Sequence, residues 1–221
     1  MSARRHVLDQ PAYFSGNFIN HTLKTGLDYY VSKKTTLGIV LGSIITNRHG
    51  NNKATATWLN PASSATDSTI STINKNKSHF FNQSVNVNAR HTISSRQDIS
   101  ADVDWLHYSI RTEQLFNNQF LASGGYVEAS QGNIPTMITI KSVKMDHSLK
   151  LGKDASVQSG WKSSSISTDN TASYQNFDGS TWSEDLGKSN HFLYKENIHA
   201  IYIIGSLYIY EREGGGAGRS V

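Results

Sequence analysis

The stretch Phe81-Asn-Gln-Ser-Val-Asn-Val-Asn-Ala-Arg-His-Thr-Ile93 decides the fold class. Val85, Val87, Ala89, His91 and Ile93 share one parity, and Ser84, Asn86, Asn88 and Arg90 share the other. Successive side chains of a β-strand point to opposite faces, so this segment is a strand with one apolar and one polar face. Ile99 to His107 repeats the pattern, with Ile99, Ala101, Val103, Trp105 and His107 set against Ser100, Asp102, Asp104 and Leu106. Further on, Val143, Met145, His147, Leu149 and Leu151 oppose Lys144, Asp146, Ser148 and Lys150. Ala155, Val157 and Trp161 oppose Ser156, Gln158 and Lys162, although Ser159 interrupts the apolar face and Ile166 has the wrong parity. Upstream, Leu23, Thr25, Leu27, Tyr29 and Val31 alternate with Lys24, Gly26, Asp28 and Tyr30. Leu37, Ile39, Leu41 and Ile45 follow, blurred by Val40 and Ile44. Tyr194, Ile198, Ala200 and Tyr202 alternate with Lys195, Asn197 and His199. A helical period fits none of these runs.

The connections carry the second signal. Short polar breaks fall at Ser32 to Lys34, Ser94 to Gln97 and Gly152 to Asp154. Long polar stretches, Asn47 to Lys77, Phe116 to Pro135 and Ser167 to Asn190, lie between them and read as loops. Short and long connections therefore alternate, as in an outer-membrane barrel with short periplasmic turns and long external loops. The alternating runs last about 9–11 residues or more, the length of a tilted membrane-crossing strand. About seven strands are expected, beginning near residues 21, 36, 80, 98, 137, 154 and 191. Single-chain bacterial barrels use even strand numbers, so these should form an open, curved sheet. The fold class is thus all-β: an antiparallel meander of long hairpins, a partial transmembrane β-barrel. Val85, Val103, Val143 and Val157 are expected to face lipid, and Asn86, Asp102, Lys144 and Gln158 the interior.

Composition agrees. Only 37% of the 221 residues are hydrophobic, which is low for a packed globular core but sufficient where one strand face is wet. There are 0 cysteines, which excludes disulfides and thiolate metal sites. The formal charge of +4 is spread along the chain without a basic block, so nucleic acid is disfavoured as a partner. No run approaches the ~18 apolar residues of a transmembrane helix. Met1 to His6 is not followed by the apolar region of a signal peptide, so the chain is expected to be part of a longer protein.

Chemical constellations are weak. Asp102 and Asp104 share a strand face, but a hard cation needs ~6–8 oxygen ligands and no further carboxylates cluster nearby. The nine histidines are scattered. His91 should pair near Ser100 and His107 near Ser84, which keeps them apart and argues against zinc. No Gly-x-Ser-x-Gly elbow occurs. Gly214 to Ser220 departs from a phosphate loop, with Glu213 at the first glycine position and Arg219 at the lysine. No catalytic, cofactor-binding or metal residue is therefore assigned, and no enzyme activity is expected. Tyr29, Tyr30, Trp105, Tyr108, Trp161 and Tyr194 are candidates for interfacial girdles. Thr57 to Asn60 and Tyr174 to Phe177 are candidate loop contacts for a sugar or peptide.

Several stretches carry a resemblance: Gly26-Leu-Asp-Tyr-Tyr-Val-Ser-Lys-Lys-Thr-Thr-Leu-Gly38, Asn88-Ala-Arg-His-Thr92, Asp102-Val-Asp-Trp105, Gln114-Leu-Phe-Asn-Asn118, Thr168-Asp-Asn170 and Ser189-Asn-His-Phe-Leu-Tyr-Lys-Glu-Asn-Ile198. Over roughly residues 18 to 204 the chain resembles the outer-membrane β-barrel family related to TonB-dependent receptors, of the type common in Bacteroidota. The resemblance implies location in the cell outer membrane and uptake of a bulky solute. It also implies outer-membrane lipid, the remaining barrel and a plug domain as partners, with an external glycan or peptide as solute. The expected organisation is an N-terminal extension at 1–17, a barrel segment at 18–204 and a flexible or aberrant tail at 205–221. The rival is a secreted soluble β-sandwich that binds carbohydrate through loop aromatics such as Trp58 or Trp182.

Overall fold

The computed structural model describes residues 7–60, 65–121, 125, 127–152 and 154–207. Among them the chain forms one antiparallel sheet of nine strands. These are β1 (Val7–Asp9), β2 (Ala12–Ser32), β3 (Thr35–Leu59), β4 (Thr66–Ser94), β5 (Gln97–Phe120), β6 (Val127–Leu151), β7 (Ala155–Phe177), β8 (Trp182–Glu184) and β9 (Asn190–Leu207). The long strands pair in chain order from β2 to β7. β9 then pairs with β7 from Ala155 to Ala172, and β8 covers the far end of β7. β1 and β2 both pair with β3. Pro11, which has no N–H to give a ladder, separates them on that edge. β1 and the start of β2 lie within 1–17, and β9 continues to Leu207, while residues 208–221 are outside the described residues.

The sheet is a single layer. Among the described residues the buried ones are Gly38, Ala54, Ala56, Asn82, Ala129, Gly132 and Ser142, all small or polar. No large side chain is fully buried among the described residues. A β-sandwich packs two inner faces into a core about 10 Å thick, so the rival architecture is ruled out.

The polar stretches read as loops are mostly strand. β3 runs to Leu59 and β4 starts at Thr66; β5 runs to Phe120 and β6 starts at Val127; β7 runs to Phe177. The physical reason is that a ladder satisfies backbone N–H and C=O groups whatever the side chains are. Polar side chains then bond across it: Thr46 Oγ1 donates to Asn20 Oδ1 at 3.0 Å, Thr72 Oγ1 to Asn118 Oδ1 at 2.8 Å, Gln131 Nε2 to Gln175 Oε1 at 2.6 Å and Asn170 Nδ2 to Thr136 Oγ1 at 2.8 Å. The alternation of tight and wider connections remains. Lys33–Lys34 and Ser95–Arg96 are tight turns at one end, while the strand ends Leu59 and Thr66, Phe120 and Val127, and Phe177 and Asn190, between which the wider connections fall, lie at the other.

Register corrects one expected pairing. His91 faces Ile99 and His107 faces Gln83, one residue from the expected partners. A shift between Thr92 and Ser94 causes this. The bulge leaves Ile93 out of the count, and a one-residue slip moves a whole strand face. It sets Val87 opposite Val103 and Asn88 opposite Asp102, so like residues share a face.

Candidate functional site

Cross-strand rows define two faces. One row reads Leu27, Ile39, Val87, Val103 and Val143, one residue of each strand from β2 to β6. The adjacent row, one residue along every strand, reads Asp28, Gly38, Asn88, Asp102, Lys144 and Lys162. The first face is the open one, with Val87 49% and Val103 50% exposed, whereas Asn82 and Ser142 on the second are 6% and 9% exposed. The sheet therefore curves toward its polar face. Val85, Val103, Val143 and Val157 lie on the outer face, and Asn86, Asp102, Lys144 and Gln158 on the inner.

The apolar band crosses the strands obliquely. The row through Leu27 and Val103 ends on Ser163 and His199. On β7 and β9 the outer apolar residues cluster nearer the short-turn end, as Val157, Trp161, Ile201 and Ile203, with Leu193 and Phe177 apart from them toward the other end. Barrel strands tilt by ~35–45°, so a level membrane should step along them by about one residue per strand. The oblique band is that step, written in side chains.

The inner face is a connected polar surface near the short turns. Asn86 Nδ2 donates to Asp104 Oδ1 at 2.7 Å, Asn88 Nδ2 to Asn86 Oδ1 at 2.8 Å and Ser142 Oγ to Asp104 Oδ2 at 3.0 Å. Lys144 Nζ lies 2.6 Å from Asp146 Oδ2, and Tyr202 donates its hydroxyl to the other oxygen of Asp146. Arg90 and Asp98 pair at 3.7 Å, with Thr92 Oγ1 donating to Asp98 at 2.8 Å. Glycines make room for these groups. A Cβ at Gly38 would collide with the Asn88 amide and the Asp28 carboxylate, and one at Gly160 with the Tyr202 ring. Further along, the same face turns apolar: Leu106, Ile140 and Ile166 align in one row, and Tyr108 and Ile138 in the next. Alternation on the outer face had hidden this patch: Leu106 was counted with the polar residues of its parity, and Ile166 read as an error of parity.

The structure separates the expected constellations. Asp104 is held by Asn86 and Ser142, while Asp102 faces Lys144 across β5 and β6. His91 Nδ1 contacts Thr35 Oγ1 at 2.8 Å, and His107 Nδ1 contacts Thr139 Oγ1 at 3.1 Å. Among the described residues no three His, Asp or Glu side chains converge as metal ligands would. Of the six girdle candidates, Tyr29, Trp105 and Trp161 are on the outer face, with Tyr29 and Trp161 in one row. Tyr30, Tyr108 and Tyr194 point inward, so only the first three can meet lipid. Trp58, Tyr174 to Phe177 and Trp182 lie on strands β3, β7 and β8 rather than loops. Trp182 packs against Phe177, with ring centroids 5.3 Å apart.

The connection after β7 is held by its own hydrogen bonds. Asp178 accepts the Ser180 and Thr181 N–H groups, each at 2.9 Å, together with both hydroxyls. These donors hold its carboxyl well below the usual carboxylate range. Asp185 is likewise lowered, by the Asn176 amide and Lys188. Gly179 supplies the positive φ of 99° that this hairpin requires.

A single-layer sheet with an exposed, oblique apolar band outside and a polar network inside is the wall of a membrane β-barrel. Residues 90–211, more than half of the chain, match the outer membrane protein beta-barrel family, and the chain belongs to it. Its location is the cell outer membrane. No curated protein matches the sequence. Among solved structures it is similar to the ferric-catecholate import receptor Fiu of E. coli K12. The closed form aligns at 7% identity and a TM-score of 0.22, over 92% of this chain and 48% of that one. The open form aligns at 7% and 0.20, over 92% and 52%. The chain thus spans about half the length of these receptor chains.

Proposed function

We propose that this chain is a wall segment of a larger barrel that takes up a bulky solute. Its inner polar face lines the passage, and its long-connection end meets an external glycan or peptide. The carrying observation is the pair of adjacent rows, apolar through Val103 and polar through Asp102. Lipid covers the first, and water, solute or a plug the second. The role is passage rather than chemistry, so we read the chain as non-enzymatic. Strand directions support the larger barrel. β2 and β9, the two long edge strands, both run from the long-connection end to the short-turn end. Antiparallel closure between them needs an odd number of further strands. A second copy in the same orientation would bring β9 beside a parallel β2, so the further strands we propose lie outside the described residues.

The absence of cysteine makes the test clean. Asp102→Cys and Val103→Cys should differ in lipid vesicles: position 102 reacts with a bulky, charged maleimide, and position 103 reacts only after detergent is added. Addition of the transported solute should slow labelling at 102. Equal labelling at the two positions would remove the face assignment and the passage with it.

A further inference from the structure

Toward the long-connection end the inner face changes character. One cross-strand row reads Phe14, Asn52, Asn74, Phe116, Ser130 and Asn176: ring, amide, amide, ring, hydroxyl, amide. The adjacent inner row reads Gly16, Gly50, Asn76, Gln114, Gly132 and Tyr174. Its glycines seat two of the rings. Phe14 lies 3.4 Å from where a Cβ of Gly16 or of Gly50 would stand, and Tyr174 covers Gly132, whose Cβ would come within 2.6 Å of the ring. Both rings therefore lean along the wall, and Phe14 is 79% exposed. From the row of Phe80 and Ile110 to the end of the described strands, the charged side chains on this face are Arg48 and Glu128. Arg48 is placed over the Phe18 ring, 5.6 Å from its centroid. In the hairpin beyond, Asp178 is held by Ser180 and Thr181, and Asp185 by Asn176 and Lys188. Nearer the short turns the same face carries Arg90, Asp98, Lys144 and Asp146.

A wall so poor in charge selects an uncharged ligand. An ion brought onto it loses water and gains little counter-charge. That disfavours acidic sugars, anionic metal chelates and peptides with free termini. Each Asn or Gln amide presents a donor and an acceptor side by side, which match two neighbouring hydroxyls. Asn74 Oδ1 is shielded from water and has no hydrogen-bond partner; a small turn of the amide offers it to a hydroxyl donor. A ring leaning along the wall presents its face, and the C–H groups of a pyranose cover such a face. Phe14 and Tyr174 are on β2 and β7, five strand spacings or about 24 Å apart along the sheet. The row is oblique to the barrel axis because the strands tilt, so a ligand spanning both rings winds along the wall. Only a chain of several sugar units reaches both.

We infer that this inner wall holds a neutral, linear oligosaccharide, stacked on Phe14 and Tyr174 and hydrogen-bonded by the amides between them. The inference rests on the passage reading and narrows it to one class of solute. The full chain is folded in phosphocholine micelles, which carry no sugar, with heat-modifiable gel mobility as the check of folding for every variant. Binding of cellohexaose, maltohexaose and mannohexaose is measured by calorimetry, and at least one should bind. For that sugar, Phe14→Ala and Tyr174→Ala should each weaken binding about tenfold or more, as loss of an aromatic anchor does. Tyr174→Phe should retain it, whereas Gly132→Ala, which displaces the ring, should not. Tyr13→Ala, beside Phe14 but on the outer face, should change nothing. The sugar should also slow maleimide labelling of Asn76→Cys and not of Lys75→Cys, its outward neighbour; this readout removes no ring. The matching disaccharide, hexagalacturonic acid and a hexapeptide with free termini should all bind more weakly. Binding of none of the three hexasaccharides, equal binding by the ring variants and the parent, or equal labelling of Asn76→Cys with and without sugar overturns the site. Equal binding of the acidic sugar or the peptide overturns its occupant, and equal binding of the disaccharide overturns the span between the rings. If Asp102→Cys and Val103→Cys still label unequally while no sugar binds, this site falls and the passage stands. A parent chain that fails to fold in micelles overturns the membrane reading beneath both.

Discussion

Strand β4 contains two different solutions to one problem. From Phe81 to Ile93 it alternates apolar and polar residues; from Lys75 to His79 it is polar on both faces. Both halves pair continuously with β3 and β5. The ladder therefore extends wherever a neighbouring strand offers partners, and the apolar stripe records only which solvent lies outside. In lipid the outward side chain must be apolar, while the backbone bonds close within the sheet. In water only the second condition holds.

The largest effect should separate the halves. Val103 and Leu115 are both on β5 and both outward, but only Val103 is within the band. Val103→Arg should destabilise the folded chain in vesicles by about 2–4 kcal/mol, with loss of the heat-modifiable form. Leu115→Arg should stay within about 0.5 kcal/mol, as an ordinary surface change does. Equal losses in urea titrations would show that the band is not the boundary drawn here.

A smaller effect should ignore the boundary. Gly160 lies under Tyr202 in the lower half, and Gly132 under Tyr174 in the upper half, each tyrosine directly cross-strand. A tyrosine ring covering a glycine on the next strand fills the gap that the missing side chain leaves. Valine at either glycine should cost about 1–3 kcal/mol through displacement of the ring. Gly205→Val, where a Cβ meets nothing within 4 Å, is the control and should cost less. Unequal costs at 132 and 160 would mean that packing, too, depends on the surrounding solvent.

These two halves also explain what was legible. The band from Val85 to Val157 could be read because lipid forces period two on the outer face. The upper strands could not, since Asn, Ser and Thr favour turns and loops on their own. Only the partner strand makes Asn47 to Leu59 extended. The bulge at Ile93 left no local signature, yet it sets the register of β4 against β5. The inner patch of Leu106, Ile140 and Ile166 was hidden for a different reason: an apolar residue on the wet face looks like noise until the rows are aligned.

The smallest effect lies at the watery extreme, in the hairpin that Asp178 closes. The native carboxylate is stabilised by four donors from Ser180 and Thr181, so its folded value lies below the unfolded one. A depressed carboxylate adds stability above the unfolded pKa of ~3.9, and that stability is lost as pH falls through the folded value. Trp182, packed on Phe177 across this hairpin, is the reporter. With Trp58, Trp105 and Trp161 replaced by Phe, its emission should be constant from pH 7 to 5 and shift to the red only below about pH 4. Asp178→Asn retains an acceptor oxygen but no titrating charge, so the acid shift should disappear. If it persisted, Asp185, whose carboxyl is also lowered and which receives the Asn176 amide at 2.8 Å, would be the group that holds the hairpin. Either way the transition should leave the Val103 band untouched, because no titrating contact at this tip reaches the lipid-facing rows.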